Sequence, residues 1–255
     1  MRGYPAVAPA LQPLEDALAS ARSDLSPWGN ALLHALPRSD IESLRPSLEF
    51  LTLAKDQPIF EPEQPASHVW FPTQGTISLV ALDAEGEAIE VAVVGREGMT
   101  GLSLVLGSPT MIYGATVQVP GQGWRIAAAA FRDFVERRPD TKAMMLRSCL
   151  AAMTQMGQNA ACSRLHNVNA RCARWLLMAH DDVDSDSFFL TQDHLAMMLG
   201  VTRASVSGAA SALQRAGLIH YTRGRISVLD RPGLEAVSCE CYGIVQREFQ
   251  RLLTA

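Results

Sequence analysis

Near residue 127 the hydrophobic pattern of this chain changes its period from two to about 3.6, so the two halves must fold by different rules. From Leu48 to Ile126 apolar residues alternate with polar ones, and Gly and Pro supply the punctuation. His68-Val-Trp-Phe71, Thr76-Ile-Ser-Leu-Val80, Ala88-Ile-Glu-Val-Ala-Val-Val94 and Ala115-Thr-Val-Gln-Val119 read as strands. Asp83-Ala-Glu-Gly86 reads as a hairpin loop and Gly95-Arg-Glu-Gly98 as a second turn, which together suggest a compact antiparallel roll. Beyond Ala127 the signal is helical: a brief helix through Phe131, Phe134 and Val135, a break at Pro139, and an uninterrupted stretch from Thr141 to about Ser163. A further helix spans roughly Val168 to His180, with Cys172, Trp175, Leu176 and Ala179 on its apolar side. Upstream of the roll a helix is expected to start at Ser26-Pro27, where Ser caps and Pro fits the first turn, and to end before Pro37. Residues 1–25, rich in Ala and Pro around a helix-like stretch from Leu14 to Ala21, read as a flexible lead.

Within the long helix Leu146, Leu150, Met153, Gly157 and Ala160 recur at 4-3-4-3 spacing, with Met145, Cys149 and Met156 on an adjoining stripe. Either this helix packs on its own roll, or the stripe is a homodimer seam in which Gly157 and Ala160 permit close approach. The spacing alone does not decide between them. The acidic run His180-Asp-Asp-Val-Asp-Ser-Asp-Ser187 begins like a calcium loop, but Ser187 stands where Gly is needed and Asp193 where a bidentate Glu is needed. It is expected to be a solvated linker.

Composition removes several classes. With 48% hydrophobic and 19% charged residues the chain is an ordinary folded protein of two-domain size. The longest uncharged stretch, Gly98 to Trp124, is broken by six Gly and two Pro, so no membrane-spanning helix is expected there. Pro5, Pro9 and Pro13 leave no apolar core for a secretory signal, and a cytoplasmic location is expected. Five cysteines, at 149, 162, 172, 239 and 241, lack a C-x-x-C pair and fit reduced thiols, with no metal ligand set read among them. No catalytic constellation emerges either. The six His are scattered, Gly101-Leu-Ser-Leu-Val105 lacks the second Gly of a nucleophile elbow, and Gly121-Gln-Gly-Trp-Arg-Ile126 is no dinucleotide fingerprint.

The net charge of −4 conceals a local surplus. Between Leu190 and Arg231 five Arg (203, 215, 223, 225 and 231) face two Asp (193 and 230), and no acid occurs from His194 to Leu229. Such a segment suits a polyanion. Its punctuation describes two helices and a hairpin. Thr191 caps a first helix in which Leu195, Ala196 and Leu199 face inward; Gly200 supplies the turn; Thr202 caps a second helix, buried through Val206, Ala209, Ala210 and Leu213. The opposite face of the second helix carries Arg203, Ala204, Ser207, Gly208 and Ser211, small enough to enter a groove closely. After Gly217, Ile219-His-Tyr221 and Ile226-Ser-Val228 pair about Thr222-Arg-Gly-Arg225, a wing with Arg223 and Arg225 at its tip, placed to hold phosphates. The fold class expected is therefore α+β: an N-terminal antiparallel, jelly-roll-like β-roll, a long helix and a C-terminal winged helix-turn-helix.

Residues 30–232, with "LTQDHLAMMLGVTRASVS" followed by "AGLIHYTRGRISVLDRPGLE", resemble the CRP/FNR family of bacterial transcription regulators. The resemblance divides the chain into a lead (1–25), a cyclic-nucleotide-binding-like roll (26–138), a dimerisation helix (139–163) and a winged helix with a C-terminal helix (164–255). It implies double-stranded DNA, a second copy of the chain and RNA polymerase as partners, on a palindromic site, and no membrane. Arg203 then stands where guanine is read, while Thr191, Gln192, Thr202 and Ser205 match phosphate-contact positions. Ala204 replaces an acid that many members carry, and Gly208 a second base-reading Arg, so the best-known target sequence does not transfer. Cyclic-nucleotide-binding members carry a Gly-Glu pair followed by an Arg. Here residues 98–131 contain no acid and only Arg125, so control by cAMP is not expected. The cysteine positions do not match those of the iron–sulfur members, and four converging thiolates are not expected; nor is haem on His68. Met111, Ile112, Tyr113 and Val117 are read as lining an apolar core or small pocket. A competing reading is a ligand- or partner-binding roll whose winged helix docks protein instead of DNA.

Overall fold

The computed structural model describes residues 28–253. Helix α1 (Ala31–Ala35) is capped by Asn30, whose side-chain oxygen accepts from the backbone N–H groups of Leu32 and Leu33. The expected cap at Ser26 is thus replaced, and the lead, Ser26 and Pro27 lie outside the described residues. Asn30 is the better anchor because its amide also donates to the carbonyls of Pro72 and Gly98 inside the roll. Helix α2 (Arg38–Leu44) follows and leads into the sheet.

Five antiparallel strands form the roll: β1 (Glu49–Leu53), β2 (Pro58–Phe60), β3 (His68–Leu82), β4 (Ala88–Val94) and β5 (Gly114–Ala127). Their order is β1-β5-β3-β4, with β2 beside β5. The two segments expected at His68–Phe71 and Thr76–Val80 are one bent strand, not two. Pro72 and Gly75 bend it through irregular register at Pro72/Gln74, Gln74/Thr76 and Thr76/Ile77 while its pairing to β5 continues. Gly75 has φ +76°, and a Cβ there would collide with the carbonyls of Val119 and Pro120. The turn expected at Asp83 links β3 to β4, with Asp83 accepting from the backbone of Glu85 and Glu87. Between β4 and β5 lies a short helix, α3 (Leu102–Val105).

Helix α4 (Ala128–Glu136) covers one end of the roll, burying Phe131, Phe134 and Val135 as their spacing requires. Helix α5 (Pro139–Leu165) begins on Pro139 itself, since its first turn needs no N–H from that residue. Helix α6 (Val168–Asp181) is separated from it by a joint at His166-Asn167, where Asn167 caps the new helix. The C-terminal part contains β6 (Ser187–Phe189), α7 (Gln192–Leu199), α8 (Arg203–Arg215), β7 (Ile219–Thr222), β8 (Arg225–Val228), α9 (Arg231–Val237) and α10 (Cys241–Leu253). The wing sheet has the order β6-β8-β7, so a third strand joins the expected hairpin. Its core is built by Trp175, Leu176, Leu195, Leu199, Val206, Leu213, Ile219 and Ile226. The last helix, α10, turns back to pack Val245, Phe249 and Leu252 on Ala151 of α5.

Three expectations are corrected. The acidic run is not a solvated linker: Asp182 is buried, Gly75 N donates to its backbone oxygen, and Arg96 N donates to Oδ1 at 2.9 Å. Asp184 pairs with Arg96 at 2.9 Å and accepts from Gln74. The run is therefore held on the roll, with Gly95 leaving room for the Asp182 carboxylate. Of Met111, Ile112, Tyr113 and Val117, Val117 and Met111 join the apolar core, in two separate clusters, and Ile112 does not. Val117 is buried among the roll's strands, Met111 packs against the α4–α5 cluster, and Ile112 is exposed because it lies in the turn before β5. Among the cysteines, where no ligand set was read, α9 and α10 bring Cys239 and Cys241 onto the end of α5, beside Cys162 and His166.

Candidate nucleic-acid interface

The helix-turn-helix is assembled by two hydroxyl caps and one left-handed residue. Thr191 Oγ1 accepts from His194 N at 3.2 Å and Thr202 Oγ1 from Ser205 N at 3.3 Å, each satisfying a donor that its helix leaves open. Gly200 sits at φ +57°, which lets α7 stop abruptly, and a Cβ there would lie 3.0 Å from Ile89 Cδ1. Leu195, Met198 and Leu199 then meet Val206, Ala209 and Leu213. What remains outside on α8 is the face read from sequence: Arg203, Ala204, Ser205, Gly208 and Ser211 are exposed and Ser207 is half-buried. A Cβ on Gly208 would meet nothing within 4 Å, so that part of the face is open to a groove.

Thr191, Gln192, Asp193, Arg203, Tyr221, Arg223 and Gly224 line a single concavity. The N-terminus of α7, the first residue of α8 and the wing turn thus converge, and helix N-termini and guanidinium groups favour the same anionic ligand. The wing turn Arg223-Gly224 has φ +49° and +79°, the two positive values that a tight two-residue hairpin needs. Tyr221 fixes the wing on both sides: its N–H donates to Gln214 of α8 at 2.6 Å and its hydroxyl to the Leu190 carbonyl at 2.8 Å. Arg225, exposed at the start of β8, stands beside this concavity without lining it.

Two of the five arginines counted from sequence are engaged. Arg203 Nε lies 3.5 Å from Asp193 Oδ1, an exposed pair that contributes little and yields readily to a competing acceptor. Arg231 turns inward, 2.7 Å from Asp181 and 2.8 Å from Glu235, and donates to Tyr242 Oη at 2.6 Å. Burial opposes its charge, but Asp181, Tyr242 and Glu235 together raise its pKa. It joins α6, α9 and α10 and does not belong to the phosphate-facing set. Asp230 is likewise used locally, capping α9 through Gly233 N.

On α5, Leu146, Leu150 and Met153 are 42%, 47% and 63% exposed, and Gly157 and Ala160 are exposed too. Met145 and Cys149 on the adjoining stripe are buried. The helix therefore packs on its own roll through the second stripe and leaves the first without a partner in this chain.

Residues 170–237 match the model of the Crp-like helix-turn-helix domain, and residues 50–138 that of the cyclic nucleotide-binding domain. The global nitrogen regulator of Synechocystis sp. is 25% identical over 187 residues, 69% of this chain and 83% of that protein. The structure of FixK2 from Bradyrhizobium japonicum superposes with a TM-score of 0.64 at 16% identity, covering 75% of this chain and 98% of that one. A transcriptional regulator of the CRP family from Thermus thermophilus gives 0.59 at 20% identity, covering 74% and 96%. A cyclic-nucleotide-type roll, a long helix and a Crp-like winged helix in this order define a helix-turn-helix transcription regulator. The chain belongs to the CRP/FNR family. Among the described residues no helix is long and apolar enough to cross a membrane.

The roll is apolar around α3. Helix α3 presents Leu102, Leu104 and Val105, all buried, and residues 101–116 carry no charge. Arg125 is occupied on Glu49, with Nε and Nη2 donating to one carboxylate oxygen at 3.0 and 2.8 Å. Where α5 and α6 cross the sheet, a carboxyl, Glu90, is buried beside the guanidinium of Arg174 and accepts from Ser78 and Gln118. Burial pushes its pKa up to about 8, against the hydrogen bonds and the nearby Arg174.

Proposed function

We propose that this chain is a homodimeric, sequence-specific DNA-binding regulator, joined along the exposed stripe of α5 and reading a palindromic site with α8. The observation that carries the reading is the open, small-residue face of α8, continuous with a concavity where Arg203, Arg223, Thr191 and Gln192 converge. Arg203 reads a base edge, Ala204, Ser207, Gly208 and Ser211 allow close approach, and Thr191, Gln192, Thr202, Ser205, Arg223 and Arg225 position the backbone. Leu146, Leu150, Met153, Gly157 and Ala160 form the seam, which sets two α8 helices about 34 Å apart, the spacing of successive major grooves. RNA polymerase is the further partner. Neither cAMP, an iron–sulfur cluster nor haem controls the protein, and it catalyses no reaction.

Arg203→Ala and Arg225→Ala separate the two roles. The first is expected to cost about 1–3 kcal/mol and relax one base position in each half-site. The second weakens all sequences alike and reduces the salt slope by about one. Competition binding against matched and mismatched duplexes at several salt concentrations measures both. Equal losses on every sequence for both variants would refute the assignment.

A further inference from the structure

We propose that Cys162, His166, Cys239 and Cys241 hold a single zinc ion at the joint between the long helix and the winged helix. One donor atom from each of the four lies within 4.8 Å of the others. Cys162 Sγ is 3.5 Å from Cys239 Sγ, and Cys241 Sγ is 3.5 Å from His166 Nδ1. Zinc bonds of about 2.3 Å to sulfur and about 2.0–2.1 Å to nitrogen, at tetrahedral angles, place neighbouring ligand atoms about 3.4–3.8 Å apart. Two pairs already meet that spacing, and the widest pair closes by about 1 Å through side-chain rotation. A cluster of two or more irons spreads its ligands over several metal atoms, so a set this compact suits one ion.

The chain supplies these ligands from two places. Cys162 lies in the last turn of α5 and His166 is the C-cap of that helix; Cys239 lies in the link from α9 and Cys241 opens α10, with Glu240 between them. The second shell is also in place. His166 Nε2 lies 3.2 Å from Glu240 Oε1, so the proton belongs on Nε2 and Nδ1 faces Cys241 as a lone-pair donor. Gln158 Nε2 donates to Cys241 Sγ at 3.0 Å, an arrangement that favours a thiolate. All three cysteines are buried, so their surroundings are dry. Three thiolates and a neutral imidazole around a dication leave one negative charge, and the buried guanidinium of Arg174 beside Cys162 opposes it. Thiol protons not already lost leave as the metal enters. Soft sulfur donors with one imidazole and no open position suit zinc in a structural role.

The joint gives the ion its purpose. His166-Asn167 is where the helix axis breaks between the dimerisation element and the DNA-facing part, and the site ties the end of α5 to the segment after the wing. With zinc in place the two parts move as one. Metal content of the full-length protein, purified without a metal-affinity step, tests the site without any DNA. The expected result is one zinc per chain, and cobalt substitution giving the absorption of a tetrahedral thiolate site. Cys239→Ser should abolish tight binding, Glu240→Gln should weaken it about 10–100-fold, and Cys149→Ser should leave it unchanged. If a variant fails to fold, the cobalt spectrum of the unaltered protein still decides. Absence of zinc and of a cobalt–thiolate spectrum, a disulfide joining Cys162 to Cys239 in its place, or full zinc content in a folded Cys239→Ser variant would overturn the proposal.

Discussion

Glu90 sits in a strand whose alternation gives no hint that its face is covered, yet it is fully buried and its pKa stands near 8 instead of 4.5. The cover comes from α5 and α6, far along the chain, which is why the residue looks solvent-facing in sequence. The folded state holds the proton more tightly than the unfolded chain. Stability is therefore fully present below about pH 4.5 and declines as pH rises towards about 8. Each unit is worth about 1.4 kcal/mol. Glu90→Gln should flatten part of that decline in denaturant melts taken across this range; an unchanged slope would show that the carboxyl ionises freely. The residual slope belongs to Glu97 and Asp182, which burial also raises. By contrast, Thr191, Gly200 and Thr202 were legible at once, because caps and left-handed turns are local chemistry that tertiary packing seldom overrides.

Among the elements, the long helix was readable because its two stripes obey a period that only a helix satisfies. What the period could not say is which stripe meets the roll, since that depends on Met145 and Cys149 finding Leu102 and Phe131 in space. The metal-ligating set escaped for a similar reason. Cys162 and the C-cap His166 meet Cys239 and Cys241 only because α9 and α10 return to the end of α5, some 75 residues further along the chain. The acidic run was read as solvated because its partners, Arg96 and Gln74, are distant in sequence. For the seam, Met153→Arg places a charge at the most exposed of its large apolar positions without touching the core. Sedimentation should show a folded monomer where the unaltered chain is a dimer. A variant that remains dimeric would place the interface elsewhere.

For the molecule as a whole, the winged helix is seated on its own roll and not tethered loosely to it. His194 Nε2 meets Asp56 at 3.1 Å, Ile89 packs beneath Gly200, and Lys55 lies over the Phe189 ring. These contacts grip the first helix and the turn from one side, leaving the outer face of α8 clear. The order of roll, long helix and winged helix was legible because each has its own hydrophobic period; the seating was not, because it rests on single residues that carry no pattern. The central claim is that this exposed face reads DNA as a symmetric pair. Selection of bound duplexes from a random library, with the purified full-length protein at physiological salt and no added effector, tests it most directly. The account predicts a two-fold-symmetric motif with half-sites one helical turn apart. Recovery of no motif, with only weak salt-sensitive binding, would contradict it.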